Sequence, residues 1–373
     1  ERNDLIINLQ QPRSVLANVL FEPHTFVTDS NTYDITAWAL PYAYGLNAYA
    51  AKESISGSYS SIEEKREVLP TINKPYAWVM PWNSVADAKI LIALQKEKIK
   101  VRMAEESFTS GGKVFPAGSL LVYRTENEKG NKIFNQILAS VAKTNNISFY
   151  PIASGFVEKG KDFGSSVYRL LSIPKIGLVT GQETSSQSVG QAWHFFEQEL
   201  NYPISMIGLQ NLAYLDVNKI NTLILPDGSY NDKVAEQLAN WLNQGGRLIL
   251  LEDAIGAMVG KKPFDIKRKI YPKVEEKGST DRRFSDKNKD DLQNSIPGAI
   301  YKVSLDQTHP LAAGLGKYYY TLKTDDKIYE PLENGFNVGS LKTNSYMAGI
   351  VGGKVKKKLD TGLLYGVQSA GRG

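Results

Sequence analysis

The clearest pattern in the chain is a set of short, almost wholly apolar runs separated by amphipathic stretches, from about residue 173 onward. The runs "KIGLVTG", "PISMIGL", "KINTLILPDG" and "RLILLED" have the length of buried strands. Between them, "SVGQAWHFFEQEL" and "YNDKVAEQLANWLNQGG" have helical periodicity, and the second ends at Gly245 and Gly246. Its apolar side chains recur at helical spacing: Val234, Leu238, Trp241 and Leu242. This alternation predicts an α/β fold with a doubly wound, mostly parallel sheet.

A second alternating pattern, in residues 76–172, predicts a smaller α/β region ahead of that sheet. "YAWVMPW", "KVRMAE" and "ISFYPI" have strand character, and "SFTSGGKVFPAGSLLVYR" has the glycines of a hairpin turn. "SVADAKILIALQKEKI" and "GNKIFNQILASVAK" have apolar residues at helical spacing. Residues 1–75 are rich in aromatic side chains and end in the polar linker "SISGSYSSIEEKREVLP". We therefore expect three parts: residues 1–75, 76–172 and 173–373.

Length and charge agree with this division. A chain of 373 residues is too long for one typical core. The net charge is +5, and residues 261–290 alone hold eleven Lys and Arg against six Asp and Glu, which also gives +5. Because this run mixes signs and is rich in turn-forming residues, it predicts a solvated charged insertion at 261–296 rather than a nucleic-acid-binding surface. No apolar run has the length of a membrane span.

The residues needed for several kinds of catalysis are scarce or missing. The chain has no cysteine, which excludes disulfides, thiolate metal sites and cysteine nucleophiles. It has three histidines, His24, His194 and His309, and no G-x-S-x-G, G-x-G-x-x-G or P-loop motif. Glu1 is not an initiator methionine and no signal peptide is visible, so we expect the chain to derive from a longer precursor.

The stretch "QAWHFFEQEL" contains His194 and Glu197 in an H-x-x-E spacing, with His309 far downstream. Zinc carboxypeptidases use such an arrangement, so a self-contained zinc hydrolase on these three residues is one hypothesis. Against it, the apolar stripe Val189, Trp193, Phe196 and Leu200 places His194 roughly 130° from the stripe centre, toward solvent. His309 lies in a Thr-His-Pro turn beyond the charged insertion. We favour a histidine on the surface of a helix.

A ligand site is also conceivable at the carboxyl ends of the predicted strands, where open α/β sheets bind ligands. Gly181 follows the first strand of the parallel set, and Asp227, Gly228 and Ser229 follow another. These four residues are candidates for the pocket of a small-molecule-binding sensor. We favour the other interpretation, a turn followed by a helix that Ser229 caps.

The segments "KIGLVTGQETSS", "INTLILPDGSY" and "LANWLNQGGRLILLEDAIGA" resemble a class I glutamine-amidotransferase-like domain, which has a flavodoxin-like sheet. The resemblance implies that "RLILLEDAIGA" leads into the nucleophile elbow, where catalytic members carry a cysteine. This chain has Glu252, Asp253 and Ala254 there. A non-hydrolysing copy of the domain is therefore implied.

Together with "YDITAWALPYAYG" and "YAWVMPWNSVADAKILIALQKEKIKVRMAEESF", these segments resemble the C-terminal, non-catalytic region of large bacterial zinc carboxypeptidase-like metallopeptidases. The resemblance implies a zinc-binding catalytic domain ahead of this region, with none of the zinc ligands and no cofactor in this chain. It implies export to the periplasm or cell exterior, and a role in docking to the catalytic domain or in recruiting peptide or cell-wall substrate. Docking predicts an exposed apolar patch.

Overall fold

A computed structural model describes residues 4–23, 39–53, 55, 69–271 and 283–373. The chain divides into two compact units. The first, here called the antiparallel unit, consists of Glu1–Tyr59, Lys267–Asp306 and Gly316–Val367. The second, here called the α/β unit, consists of Ser60–Ile266, Gln307–Leu315 and Gln368–Gly373. The three-part division expected from the sequence stays a prediction.

Strands in the part of the chain that the structure describes fall into four sheets, numbered here in chain order. They are β1 (Ala77–Met80), β2 (Arg102–Ala104), β3 (Phe108–Ser110), β4 (Lys113–Phe115), β5 (Leu120–Tyr123), β6 (Tyr150–Ile152), β7 (Tyr168–Leu170), β8 (Ile176–Thr180), β9 (Ser205–Gly208), β10 (Thr222–Leu225), β11 (Arg247–Leu250), β12 (Gly298–Leu305), β13 (Tyr318–Lys323), β14 (Gly335–Ile350) and β15 (Gly362–Gln368).

The α-helices of the same ranges are mostly short. They are α1 (Ser14–Phe21), α2 (Leu40–Ala43), α3 (Val85–Lys96), α4 (Arg124–Glu128), α5 (Phe134–Thr144), α6 (Ser186–Trp193), α7 (Lys233–Asn243), α8 (Asp253–Ala257), α9 (Lys287–Gln293) and α10 (Gly353–Lys358). Among the described residues, no helix combines the length and the hydropathy needed to cross a bilayer.

The first sheet of the α/β unit is antiparallel, in the order β6-β1-β5-β2-β7. Successive residues of β1 face opposite sides, so Met80 packs with the helices α3 and α5, and Val79 packs with an aromatic cluster on the other face. The helix α3 begins with a capping box, in which the Ser84 side chain accepts from the Asp87 backbone N–H and the Asp87 carboxylate accepts in return. The two segments of this region with helical spacing therefore form the helices α3 and α5.

The second sheet of the α/β unit is the parallel one, in the order β11-β10-β8-β9. Helices cover both of its faces. Leu223 and Leu225 of β10 pack on α7, while Ile224, between them, packs with Val189 of α6. The central strands β8 and β10 are near-continuous apolar runs because they are buried on both sides, whereas the edge strands β9 and β11 are partly exposed.

The prediction of a doubly wound, mostly parallel sheet is confirmed in part: one sheet is parallel, and the other sheets are mostly antiparallel. The antiparallel unit has the order β13-β12-β14-β15. Its neighbouring strands β12 and β13 are joined through a segment with only a short 3-10 helix, Pro310–Ala312. Parallel pairing needs a longer crossover, usually a full helix, so strands with this connection pair antiparallel.

Candidate functional site

The carboxyl ends of β8 and β10 form the point at which the order of the parallel sheet reverses. The chain runs from β8 outward to its neighbour β9 and then returns to β10 on the other side of β8. In open α/β sheets, the crevice at such a switch point is where ligands bind. The four candidate residues from the sequence, Gly181 after β8 and Asp227, Gly228 and Ser229 after β10, all lie at this edge.

The two loops at the switch point are hydrogen-bonded to each other. The Ser185 N–H donates to the Asp227 carbonyl at 2.8 Å, and the Ser229 N–H donates to the Glu183 carbonyl at 2.8 Å. Thr184 and Gly228 form an isolated antiparallel bridge. A side chain at Gly228 would collide with the Glu183 carbonyl oxygen, so only glycine fits this approach. The loops therefore close over the crevice between the two strands.

Asp227 connects this edge to the turn after β11. Its backbone N–H donates to the Ser188 hydroxyl at 3.1 Å, and its carboxylate Oδ1 accepts from the Asp253 N–H, also at 3.1 Å. A carboxylate that accepts from the first N–H groups of a helix satisfies donors that the helix itself leaves unpaired. The carboxylate of Asp227 thus holds the start of α8 against the β10 loop.

The turn between β11 and α8 has the backbone of a strained elbow. Glu252 adopts φ 49° and ψ −117°, outside the regions that a non-glycine residue normally occupies. A sharp strand-to-helix turn of this kind presents one side chain at the top of the sheet. That residue here is an exposed glutamate. Because the whole chain has no cysteine, acyl transfer through a thioester is excluded.

Tyr230 lies close enough to the carboxylates of Asp227 and Glu183 to be affected by their charge. Its hydroxyl donates to the Pro226 carbonyl at 2.7 Å. Burial raises the pKa of this phenol well above its usual value, and the negative charges of Asp227 and Glu183 raise it further. Tyr230 is therefore a neutral hydrogen-bond donor at this edge, which presents carboxylates, hydroxyls and backbone groups.

A cavity of about 350 Å³ opens next to Gly181, on the side of α6. Its walls carry small, hydroxyl and apolar side chains: Thr180, Gly181, Thr184, Ser186, Val189, Gly190, Trp193 and Met206. Of the four candidates from the sequence, Gly181 alone lines it. Asp227, Gly228 and Ser229 do not line this cavity, and the sensor hypothesis stays a prediction.

Ser229 has a different role from that of a helix cap. The helix α7 begins at Lys233, two residues after Asn231, and the Asn231 carboxamide oxygen accepts from the Lys233 N–H at 2.9 Å. Asp232 is the N-cap residue of α7, but its side chain makes no capping hydrogen bond. Ser229 instead contributes its backbone N–H to the contact between the two loops.

His194 and Glu197 lie in a π-helical turn, His194–Glu199, that continues α6. Of the predicted apolar stripe, Val189 and Phe196 pack on the sheet and Leu200 is buried. The stripe is wrong at Trp193, which is 36% exposed, because its neighbour Ala192 takes the inward-facing position. His194 is exposed, as its angular position predicted.

His309 is held in a turn of its own. It caps the 3-10 helix Pro310–Ala312, and its Nδ1 accepts from the Leu311 N–H at 3.2 Å. Within the described ranges, no group of three or more His, Cys, Asp or Glu side chains is placed to hold a metal ion. His194, Glu197 and His309 therefore do not form a shared site in this structure. His24 lies outside the described residues.

Comparison with known proteins gives little further information. No protein-family model and no curated protein matches the chain. A protein named as ThuA-like, from Bacteroides uniformis, is similar in structure over 48% of this chain and 78% of its own, at 12% identity and a TM-score of 0.28. A glutamine amidotransferase from Thermotoga maritima is similar over 51% of this chain and 74% of its own, at 9% identity and a TM-score of 0.29. Scores this low support no conclusion about activity, and neither structure is a carboxypeptidase.

Proposed function

We propose that this chain is a non-catalytic accessory region of a zinc carboxypeptidase-type metallopeptidase, and that it docks on the catalytic domain of that enzyme. The proposal takes its enzyme class from the sequence resemblance. The observation that supports docking is an exposed apolar surface on residues 5–21, here called the N-terminal apolar segment.

The N-terminal apolar segment exposes eight large apolar side chains, each between 38% and 78% accessible. They are Leu5, Ile6, Ile7, Leu9, Val15, Leu16, Val19 and Phe21. None of the residues of α1 is buried. Single exposed apolar residues are normal on proteins, but a continuous set of this size marks an interaction surface.

The helix α1 has the spacing that a groove-binding helix uses. Val15, Leu16 and Val19 lie at positions i, i+1 and i+4, so they project from one side of the helix. The segment carries one charged side chain, Arg13, between Leu5 and Phe21. An apolar groove on the catalytic domain is therefore the complementary partner, and the zinc of the enzyme would lie in that domain.

The α/β unit supports the non-catalytic part of the proposal. Where catalytic amidotransferase-like domains carry a thiol, the strained elbow here carries the carboxylate of Glu252. The nearby Tyr230 hydroxyl is kept protonated by burial. A site without a thiol or an imidazole suits binding rather than acyl transfer.

The test has two steps. We expect the gene to encode a zinc-peptidase domain ahead of Glu1, and that domain, purified separately, to bind this chain. Replacing Val15 and Leu16 by Asp should weaken binding about a hundredfold or more, because two apolar side chains would no longer be buried. The matched control is Phe156→Asp, which changes a side chain that is 77% exposed in the α/β unit. A gene without a peptidase domain, or unchanged binding by the double variant, would contradict the proposal.

A further inference from the structure

A second cavity, of about 390 Å³, lies in the α/β unit away from the parallel sheet. The loop between β2 and β3 forms one wall, the turn between β4 and β5 another, and residues 307–313 the third. Its polar lining consists of Glu105, Glu106, Ser107, Gln307, Thr308 and His309. No local pattern in the sequence places these residues together, because about 200 positions separate the two groups.

The walls of this cavity are fixed by close packing. Gly118 is buried with φ +90°, and a β-carbon there would lie 2.8 Å from the Ala313 β-carbon. Gly314, with φ +78°, leaves no room for a side chain beside the Trp82 carbonyl. Both positions need glycine for backbone conformation and for space. The segment 307–315 is therefore seated firmly against the turn, and the cavity is preformed.

His309 presents a defined hydrogen-bonding edge. Its Nδ1 accepts from the Leu311 N–H at 3.2 Å, so Nδ1 carries no proton. In the neutral imidazole, the proton is then on Nε2, which is a donor. Ser107 and Thr308 add hydroxyl groups to the lining, and Gln307 adds a carboxamide.

Charge selects the kind of ligand. Glu105 is ion-paired with Arg169 at 2.7 Å, whereas Glu106 makes no ion pair with any residue that the structure describes. No lysine or arginine lines the cavity within these ranges. The charged side chains that line the cavity are therefore acidic only, which favours a cation and opposes an anion.

We propose that this cavity binds a primary ammonium group carried by a small polar molecule, such as the amino end of a short peptide or an amino sugar. The ammonium group lies against the Glu106 carboxylate, and the hydroxyl or amide groups of the ligand face Ser107, Thr308 and His309. This site is independent of the docking surface proposed above.

The test uses the purified chain labelled with ¹⁵N, with glycylglycine and glucosamine as the amine probes. Their matched neutral probes are N-acetylglycylglycine amide and N-acetylglucosamine. We expect at least one amine to shift the backbone amide signals of Ser107, Gly118 and Ala313, and its acetylated counterpart to leave them unchanged. The amine that binds more tightly identifies the source of the ammonium group.

Glu106→Gln should lower the affinity for that amine about tenfold, because a charge-assisted hydrogen bond becomes a neutral one. Glu97→Gln, an exposed site outside the cavity, is the control and should leave the affinity unchanged. Equal binding of amine and acetylated probes, no binding of either amine, or full affinity in Glu106→Gln would overturn the proposal. None of these outcomes bears on docking through residues 5–21.

Discussion

At the scale of single residues, the candidate site depends on two unusual backbone positions. One has no space for a side chain, and the other carries a side chain in a backbone conformation that favours glycine. Gly228 is a glycine because the Glu183 carbonyl occupies the place of its side chain. Glu252 has a side chain although its φ of 49° suits glycine. A non-glycine residue in such a conformation is retained only where its surroundings hold it, and the Asp227 contact to Asp253 does so here.

We expect Gly228→Ala to destabilise the α/β unit by about 2 kcal/mol, because the new methyl group forces the two loops apart. The control is Gly190→Ala in α6, where a β-carbon would meet nothing within 4 Å. Alanine there should stabilise the protein by up to about 1 kcal/mol, since it is the better helix former. Chemical unfolding measures both changes. Shifts of the same sign and size would show that the loops do not pack as described.

At the scale of elements, α7 illustrates how an amphipathic pattern becomes a packed helix. Val234, Leu238, Trp241 and Leu242 are all buried against the parallel sheet, as their spacing predicted. The indole N–H of Trp241 donates to the Ile220 carbonyl at 2.9 Å, and Gly246 lies against the indole ring. A buried tryptophan with a satisfied N–H contributes both packing and a specific orientation.

Trp241→Phe should therefore lower the free energy of unfolding by about 2 to 3 kcal/mol, because it leaves a cavity and a buried carbonyl without its donor. Trp193→Phe in α6 is the matched control, since the Trp193 side chain is 36% exposed. Its expected loss is below about 0.5 kcal/mol. Thermal and urea unfolding of both variants measures these changes in the free energy of unfolding. Equal losses of stability in the two variants would contradict this account of α7.

At the scale of the whole molecule, the chain is interleaved between two units. The short segment Gln307–Leu315 belongs to the α/β unit, although the residues on both sides of it belong to the antiparallel unit. This is how His309 comes to line a cavity with Glu105 and Glu106 instead of joining His194. Among the described residues, His194, Glu197 and His309 match the H-x-x-E spacing with a distant histidine but do not form a shared metal site.

We expect the purified chain to bind no stoichiometric zinc after dialysis and to hydrolyse no peptide. His194→Ala should leave its metal content unchanged, because His194 is an exposed side chain. Elemental analysis of both proteins, after exposure to excess zinc, measures this. One zinc ion per chain that is lost in His194→Ala would establish the alternative, a self-contained zinc hydrolase.

The sequence by itself determined the local features: the strands and helices of the parallel sheet and the exposed position of His194. These follow from periods of two and 3.6 residues and from glycine at turns, which are properties of neighbouring positions. Only the tertiary structure decided the antiparallel pairing of the other sheets, the contact of Gly228 with Glu183, the π-helical turn after α6 and the cavity that His309 and Glu106 line together. Each of these depends on contacts between residues that are distant in sequence or on small differences in packing, and no local period encodes them.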